Sequence, residues 1–223
     1  MVAHRAGNDP GALREALALG AHIVELDLHL RRGRLEVRHA KSVLGSPVLW
    51  ERWWLEDGLR RPAALGEVLD AIASAPAPPV AMLDLKGADP RMPGAVRRAL
   101  DARARPAPVM VCGRVWRNLA PLAGLPGVTV VHSAGSPRQL RALLRRFAEG
   151  GAGLEGVSVK RTLLDAATVG ALRRRTDLVM TWPVDDARQA EALAGWGVTA
   201  LITDHAAPLV AWAGAHPAAG PPA

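Results

Sequence analysis

Eight short apolar runs rich in β-branched residues alternate along this chain with segments of helical period, and no other feature restricts its fold as much. The runs lie at 2–6, 22–30 with a continuation at 35–39, 80–86, 109–112, 128–132, 156–160, 178–184 and 200–204. Ala-, Leu- and Arg-rich segments lie between them at 10–19, 65–75, 93–104, 116–122, 137–149, 162–174 and 187–196. Strands that alternate with helices belong in a parallel sheet, and eight such units in 223 residues suit one closed barrel. No Gly-rich dinucleotide loop follows the first run, which argues against an open Rossmann sheet. The expectation is an α/β protein, a single-domain (β/α)8 TIM barrel over residues 1–215. Residues 41–64, with Trp50, Trp53 and Trp54, read as an insertion or lid lining the cleft or as tryptophans covering a barrel flank. Residues 216–223 read as a flexible tail.

Composition narrows the partners. Hydrophobic residues make up 49% of the chain, an ordinary share for a globule. No stretch approaches the ~18 uninterrupted apolar residues of a membrane span, so no stable membrane insertion is expected. Met1 leads straight into the first run with no secretory leader pattern, so a cytoplasmic location is expected. The net charge of +7 is carried almost wholly by arginine scattered through the helical segments, with Lys41, Lys86 and Lys160 the only lysines. Basic residues spread in this way read as solvated helix faces, and nucleic acid is not expected as a partner. Cys112 stands alone in an apolar run and reads as a small core residue.

Polar residues cluster where barrel enzymes place their chemistry. Glu25/Asp27, Asp84/Lys86, Lys160, Trp182/Asp185 and Thr203/Asp204 fall at or just past the C-terminal ends of strand candidates, and in a closed barrel those ends share one face. Alternate strand residues point the same way about 6–7 Å apart, so Glu25 and Asp27 can share one hard cation. Two like charges on one face are costly without a counter-charge, which argues for a metal. Asp84 can complete an oxygen-ligand set, and the ammonium of Lys86 then lies where a phosphate could sit. His4 and His39 flank these carboxylates and suit acid–base or nucleophilic work at phosphorus. No Gly-x-Ser-x-Gly elbow, His-Glu-x-x-His or paired-cysteine motif is present.

Several segments, in order along nearly the whole chain, resemble the glycerophosphodiester phosphodiesterase family of the PLC-like phosphodiesterase superfamily. They are His4-Arg5, Gly20-Ala21 leading to Glu25-Leu26-Asp27, and the approach to His39. They continue with Leu65-Gly66-Glu67-Val68-Leu69, Thr181-Trp182-Pro183-Val184-Asp185, and Gly197-Val198 through Thr203-Asp204. The resemblance implies a barrel with a divalent cation, Mg²⁺ or Ca²⁺, held by Glu25, Asp27 and Asp84. It implies His4 and His39 as the catalytic pair, Arg5 and Lys86 as phosphate holders, and Trp182 as an apolar wall for the substrate. The partner it implies is a small-molecule or lysolipid phosphodiester.

The chain departs from the family pattern at four places. Gly7-Asn8-Asp9 stands where the family has Glu-Asn-Thr, so a metal-binding Glu is missing, and the loop after His4-Arg5 is short. Asp84 replaces a Glu, and Ala40 rather than Asp follows His39. His4…Asn8 with Asp84-x-Lys86 is similar to the sphingomyelinase D-like branch of the superfamily. Either Asn8 puts a neutral contact where the Glu would be, or Asp9 reaches the cation. The resemblance therefore implies a metal-dependent phosphodiesterase, with two alternatives: intramolecular transfer giving a cyclic phosphate, and a catalytically degenerate barrel that binds a phosphorylated ligand.

Overall fold

A computed structural model describes residues 1–42, 48–51, 54–57, 62–103, 107–148 and 154–216 of the chain. Eight parallel strands close into a barrel: β1 (Val2–Ala3), β2 (Ile23–Arg31), β3 (Val80–Leu85), β4 (Val109–Gly113), β5 (Val128–Ala134), β6 (Gly156–Lys160), β7 (Leu178–Trp182) and β8 (Ala200–Thr203). Closure depends on the two-residue strand β1, where Val2 pairs in register with Ile23 on one side and Ile202 on the other. Around the barrel lie helices α1 (Pro10–Ala18), α2 (Leu65–Ala73), α3 (Met92–Asp101), α4 (Pro137–Ala148), α5 (Ala166–Arg173), α6 (Ala187–Gly195) and α7 (Ala206–Ala215). Among the described residues no helix is long and apolar enough to cross a membrane.

Strand alternation builds the interior and aims the polar residues. Val2, Ile23, Met82, Cys112, Val131, Met180, Ala200 and Ile202 form one buried cluster inside the barrel. Residues of the opposite parity on these and the neighbouring strands, Leu26, Leu83, Val111, Val157 and Val179, turn outward and pack under the helices. Two residues beyond Ile23, Met82, Val131 and Met180 come Glu25, Asp84, Ser133 and Trp182. The periodicity that fills the barrel thus carries these side chains into its mouth.

Three elements differ from the sequence expectation. The run at 35–39 does not continue β2 but returns antiparallel to it as Arg34–Val37, with Arg31 opposite Arg34. Arg32 and Gly33 both have positive φ (49° and 80°), the backbone of a tight two-residue hairpin. Segment 116–122 forms two 3₁₀ turns, Trp116–Asn118 and Ala120–Leu122, in place of a helix, because Pro121 has no N–H to extend an i→i−4 ladder. Helix α7 was not expected, although Pro208 falls in its first turn, where proline is tolerated. Within 41–64, Lys41–Ser42, Val48–Glu51 and Trp54–Asp57 form a small antiparallel sheet. Trp53 and the tail at 217–223 lie outside the described residues.

The outward face of β5 carries a pH-sensitive residue. His132 is buried, meets the edge of Trp116 with ring centroids 5.7 Å apart, and has no partner for Nδ1 among the described residues. Burial, aided by the charge of Arg146 on α4, pushes its pKa down to about 4. The folded protein therefore keeps His132 neutral at pH values where the unfolded chain already binds a proton. Stability is lost as pH falls from about 6.5 towards 4. The expected loss is ~2 kcal/mol, or roughly 5 °C in Tm. Thermal melts across this range should show it, and His132→Phe should flatten that part of the profile.

Candidate active site

The first loop reaches the carboxylates through its backbone. After His4 the chain turns left-handed at Arg5 (φ 56°) and enters a 3₁₀ turn over Ala6–Asn8. A non-glycine residue in this region costs on the order of 1–2 kcal/mol. The turn directs the Arg5 N–H at Glu25, donating to Oε2 at 2.6 Å. Gly7 makes the approach possible: a Cβ there would sit 2.7 Å from Leu26 Cβ.

Asn8 then pairs twice with Asp27. Its Nδ2 donates to Asp27 Oδ2 at 2.8 Å, and its Oδ1 accepts the Asp27 backbone N–H at 2.8 Å. Asp9 is committed elsewhere, capping α1 by accepting from the N–H groups of Gly11 and Ala12. Of the two arrangements the sequence left open, the first describes the structure: a neutral amide lies against Asp27, and Asp9 faces the helix.

Glu25, Asp27 and Asp84 each bring a carboxylate oxygen to within 4.8 Å of one another. Register explains the convergence, since Asp27 lies directly opposite Asp84 across the β2–β3 pair and Glu25 is one inward step deeper. Glu25 and Asp27 are almost wholly buried. Lys86 lies among them, 2.5 Å from Asp27 Oδ1 and paired with Asp84. Arg5 Nε approaches Asp27 Oδ2 at 3.9 Å.

The charges perturb one another in opposite directions. Burial pushes the Glu25 carboxyl well above the usual range, with Asp27 and Asp84 adding to the effect. Burial also works against Asp27, but Lys86, the Asn8 amide and His39 hold it below its ordinary value. Burial opposes the charge of Lys86 too, yet Asp84, Asp27 and Glu25 hold it protonated above the usual lysine range. Three carboxylates around one ammonium remain short of positive charge. Asp27 Oδ1 has the Lys86 ammonium beside it but no hydrogen bond of good angle among the described residues. This hard-oxygen donor set fits a divalent cation.

His4 bonds through Nδ1 to Asp204 Oδ1 at 2.7 Å, while its Nε2 lies 4.0 Å from Glu25 Oε2. His4, Arg5, Glu25, His39, Asp84, Lys86, Trp182 and Asp204 all line one cavity of about 1010 Å³. Asp27 is fully buried and is not among the lining residues; it lies behind them, 2.5 Å from the Lys86 ammonium. The eight residues singled out in the sequence are thus brought together at one barrel mouth.

Four further residues join them that the sequence did not single out for a role. Asp204 stood among the polar strand ends, but its pairing with His4 spans the whole chain. Arg114 lines the cavity with its guanidinium carbon 5.2 Å from the Trp182 ring centroid. Ser133 and Ser158 face inward opposite each other on β5 and β6. Asp204 lies in a segment that carries the family resemblance, but no local motif marks Arg114, Ser133 or Ser158. Lys160, at the end of β6, is not part of the cavity lining.

No protein-family model and no curated sequence matches the chain. Similarity appears in solved structures. A phosphodiesterase from Oleispira antarctica, in complex with the product sn-glycerol-3-phosphate, has a TM-score of 0.73 at 17% identity over 95% of each chain. The glycerophosphodiester phosphodiesterase of Thermotoga maritima gives 0.68 at 15% identity, covering 94% of this chain and 95% of that one. That of Parabacteroides distasonis gives 0.66 at 21% identity over 91% of each. The likeness spans the barrel end to end, and what it establishes is the fold: a (β/α)8 barrel of the kind found in glycerophosphodiester phosphodiesterases.

Proposed function

We propose that this protein is a divalent-cation-dependent phosphodiesterase acting on glycerophosphodiesters or lysophospholipid-like diesters. One observation carries the reading: Glu25, Asp84 and Lys86 line the cavity that also holds His4 and His39, with the buried Asp27 carboxylate gathered against them. The three carboxylates would hold Mg²⁺ or Ca²⁺, which when bound would draw charge from the phosphoryl oxygens. Arg5 and Lys86 bind the phosphate, and Trp182 walls the substrate.

The histidine roles follow from hydrogen-bond chemistry. A carboxylate only accepts, so the proton between His4 and Asp204 resides on His4 Nδ1. In the neutral ring Nε2 then carries the lone pair that a general base needs. In hydrolysis a water oxygen bonds to phosphorus and its proton passes to His4 Nε2. The bond from phosphorus to the leaving alkoxide breaks, and His39 supplies the proton that makes it an alcohol. Asp204 acts through His4, fixing its tautomer and balancing its charge.

A second reading differs only in the attacking group. A hydroxyl of the substrate's own glycerol attacks in place of water and leaves a cyclic phosphate. The neutral amide of Asn8 at the first-loop position, where the resembled family has a carboxylate, supports it.

Turnover of glycerophosphodiesters should be lost in EDTA and restored by Mg²⁺ or Ca²⁺. Glu25→Ala and His39→Ala should each lower kcat by roughly 10²–10⁴-fold. Activity that ignores chelation and both substitutions would overturn these roles. Inactivity on a panel of glycerophosphodiesters and lysolipids, with binding retained, would replace the reading by a non-catalytic phosphate-binding barrel. Phosphorus NMR of the product decides the attacking group: a cyclic phosphate resonance means the glycerol hydroxyl, its absence means water. Asp204→Asn should lower kcat by roughly tenfold or more while leaving KM nearly unchanged, because it disturbs a proton and not a binding contact.

A further inference from the structure

Across the mouth from the carboxylates, Arg114 occupies a built slot. It follows β4, reaches past the loop after β5 and lies over Trp182 at the end of β7, 5.2 Å from the ring centroid. Gly135 leaves the space for this stack: a Cβ there would sit 3.3 Å from the guanidinium carbon and 3.4 Å from Trp182 Cη2. Gln139, in the first turn of α4, ties the two loops together. It accepts from the Gly135 N–H at 2.9 Å and donates to the Arg114 carbonyl at 3.5 Å. Among the described residues no carboxylate pairs with Arg114, whereas Arg38, also at the mouth, is held by Glu36 and the Ala40 carbonyl.

This placement bears on what the substrate carries besides its phosphate. An indole face in a cavity can hold a quaternary ammonium. Here Trp182 is the only tryptophan among the described lining residues, and a guanidinium already covers its ring. A choline-like arm would lose that face and meet a like charge. An arm bearing an anion would instead meet a planar guanidinium donor over the indole, suited to phosphate or carboxylate oxygens.

We infer that Arg114, stacked on Trp182, is a specificity-determining residue that selects phosphodiesters with a second negative charge on one alcohol arm and rejects those with a quaternary ammonium. The inference rests on the phosphodiesterase reading for the position of the scissile phosphate.

Three substrates test it: bis(glycerophospho)glycerol, glycerophosphoglycerol and glycerophosphocholine. The first two differ by an anionic group on one arm. In the wild-type protein, kcat/KM for bis(glycerophospho)glycerol should exceed that for glycerophosphoglycerol by roughly tenfold or more, the effect of one charge-assisted hydrogen bond. That is well above the statistical doubling from its two diester bonds. Glycerophosphocholine should be slowest. The advantage should shrink as salt is raised, and Arg114→Gln should bring the ratio near that statistical doubling, whatever the variant's overall rate. A wild-type ratio at the statistical value, or a ratio unaltered by both salt and Arg114→Gln, would overturn the inference. A protein that turns over none of the three sinks the phosphodiesterase reading instead, and calorimetric Kd values for the same compounds then give the ratio that judges Arg114.

Discussion

Three carboxylates gathered around a single ammonium govern this barrel mouth. Like charges at such separations, removed from water, repel strongly, and burial alone already drives Glu25 towards its neutral form. The surroundings offset this with donors that cannot move away: the Arg5 N–H on Glu25, the Asn8 amide on Asp27, and Lys86 between Asp27 and Asp84. Each donor is fixed by backbone structure, by a left-handed residue, a 3₁₀ turn or a strand register. The mouth is therefore built around offsetting the charge of its carboxylates.

The same constraint accounts for how the first loop is built. A short connection after β1 has to bring a backbone N–H and a side-chain amide onto two residues of the neighbouring strand. The turn at Arg5 and the bare Cα of Gly7 accomplish this in five residues. With Asn8 bonded to both the carboxylate and the backbone of Asp27, the loop becomes part of the wall and not a hanging flap. Asp9 is free to cap α1, so helix and site are anchored by consecutive residues.

The two halves of the mouth differ in character. The β2–β3 side is buried and acidic, suited to a cation and a phosphate. The β4–β7 side carries Ser133, Ser158, Trp182 and Arg114, drawn from three strands and the residue that follows a fourth. In the proposed reaction the first side would do the chemistry and the second would discriminate among diesters. Such a division lets specificity change through the loops without disturbing the ligand set.

The alternation of eight runs with helical segments determined a parallel α/β architecture, because parallel strands need crossover helices to join them. The i, i+2 spacing of Glu25 and Asp27, and of Asp84 and Lys86, likewise determined that each pair shares a face, since side-chain period is a property of the strand itself. Proline decided the 3₁₀ turns at 116–122 and the Arg32-Gly33 turn reversed the chain, but both compete with longer-range patterns that resemble a helix and a continuing strand. Only the tertiary structure could put Asp204 on His4, two hundred residues away, or lay Arg114 across Trp182 beside Gly135. These contacts depend on which strand ends become neighbours when β1 closes the ring, and ring closure leaves no mark in any local window of sequence.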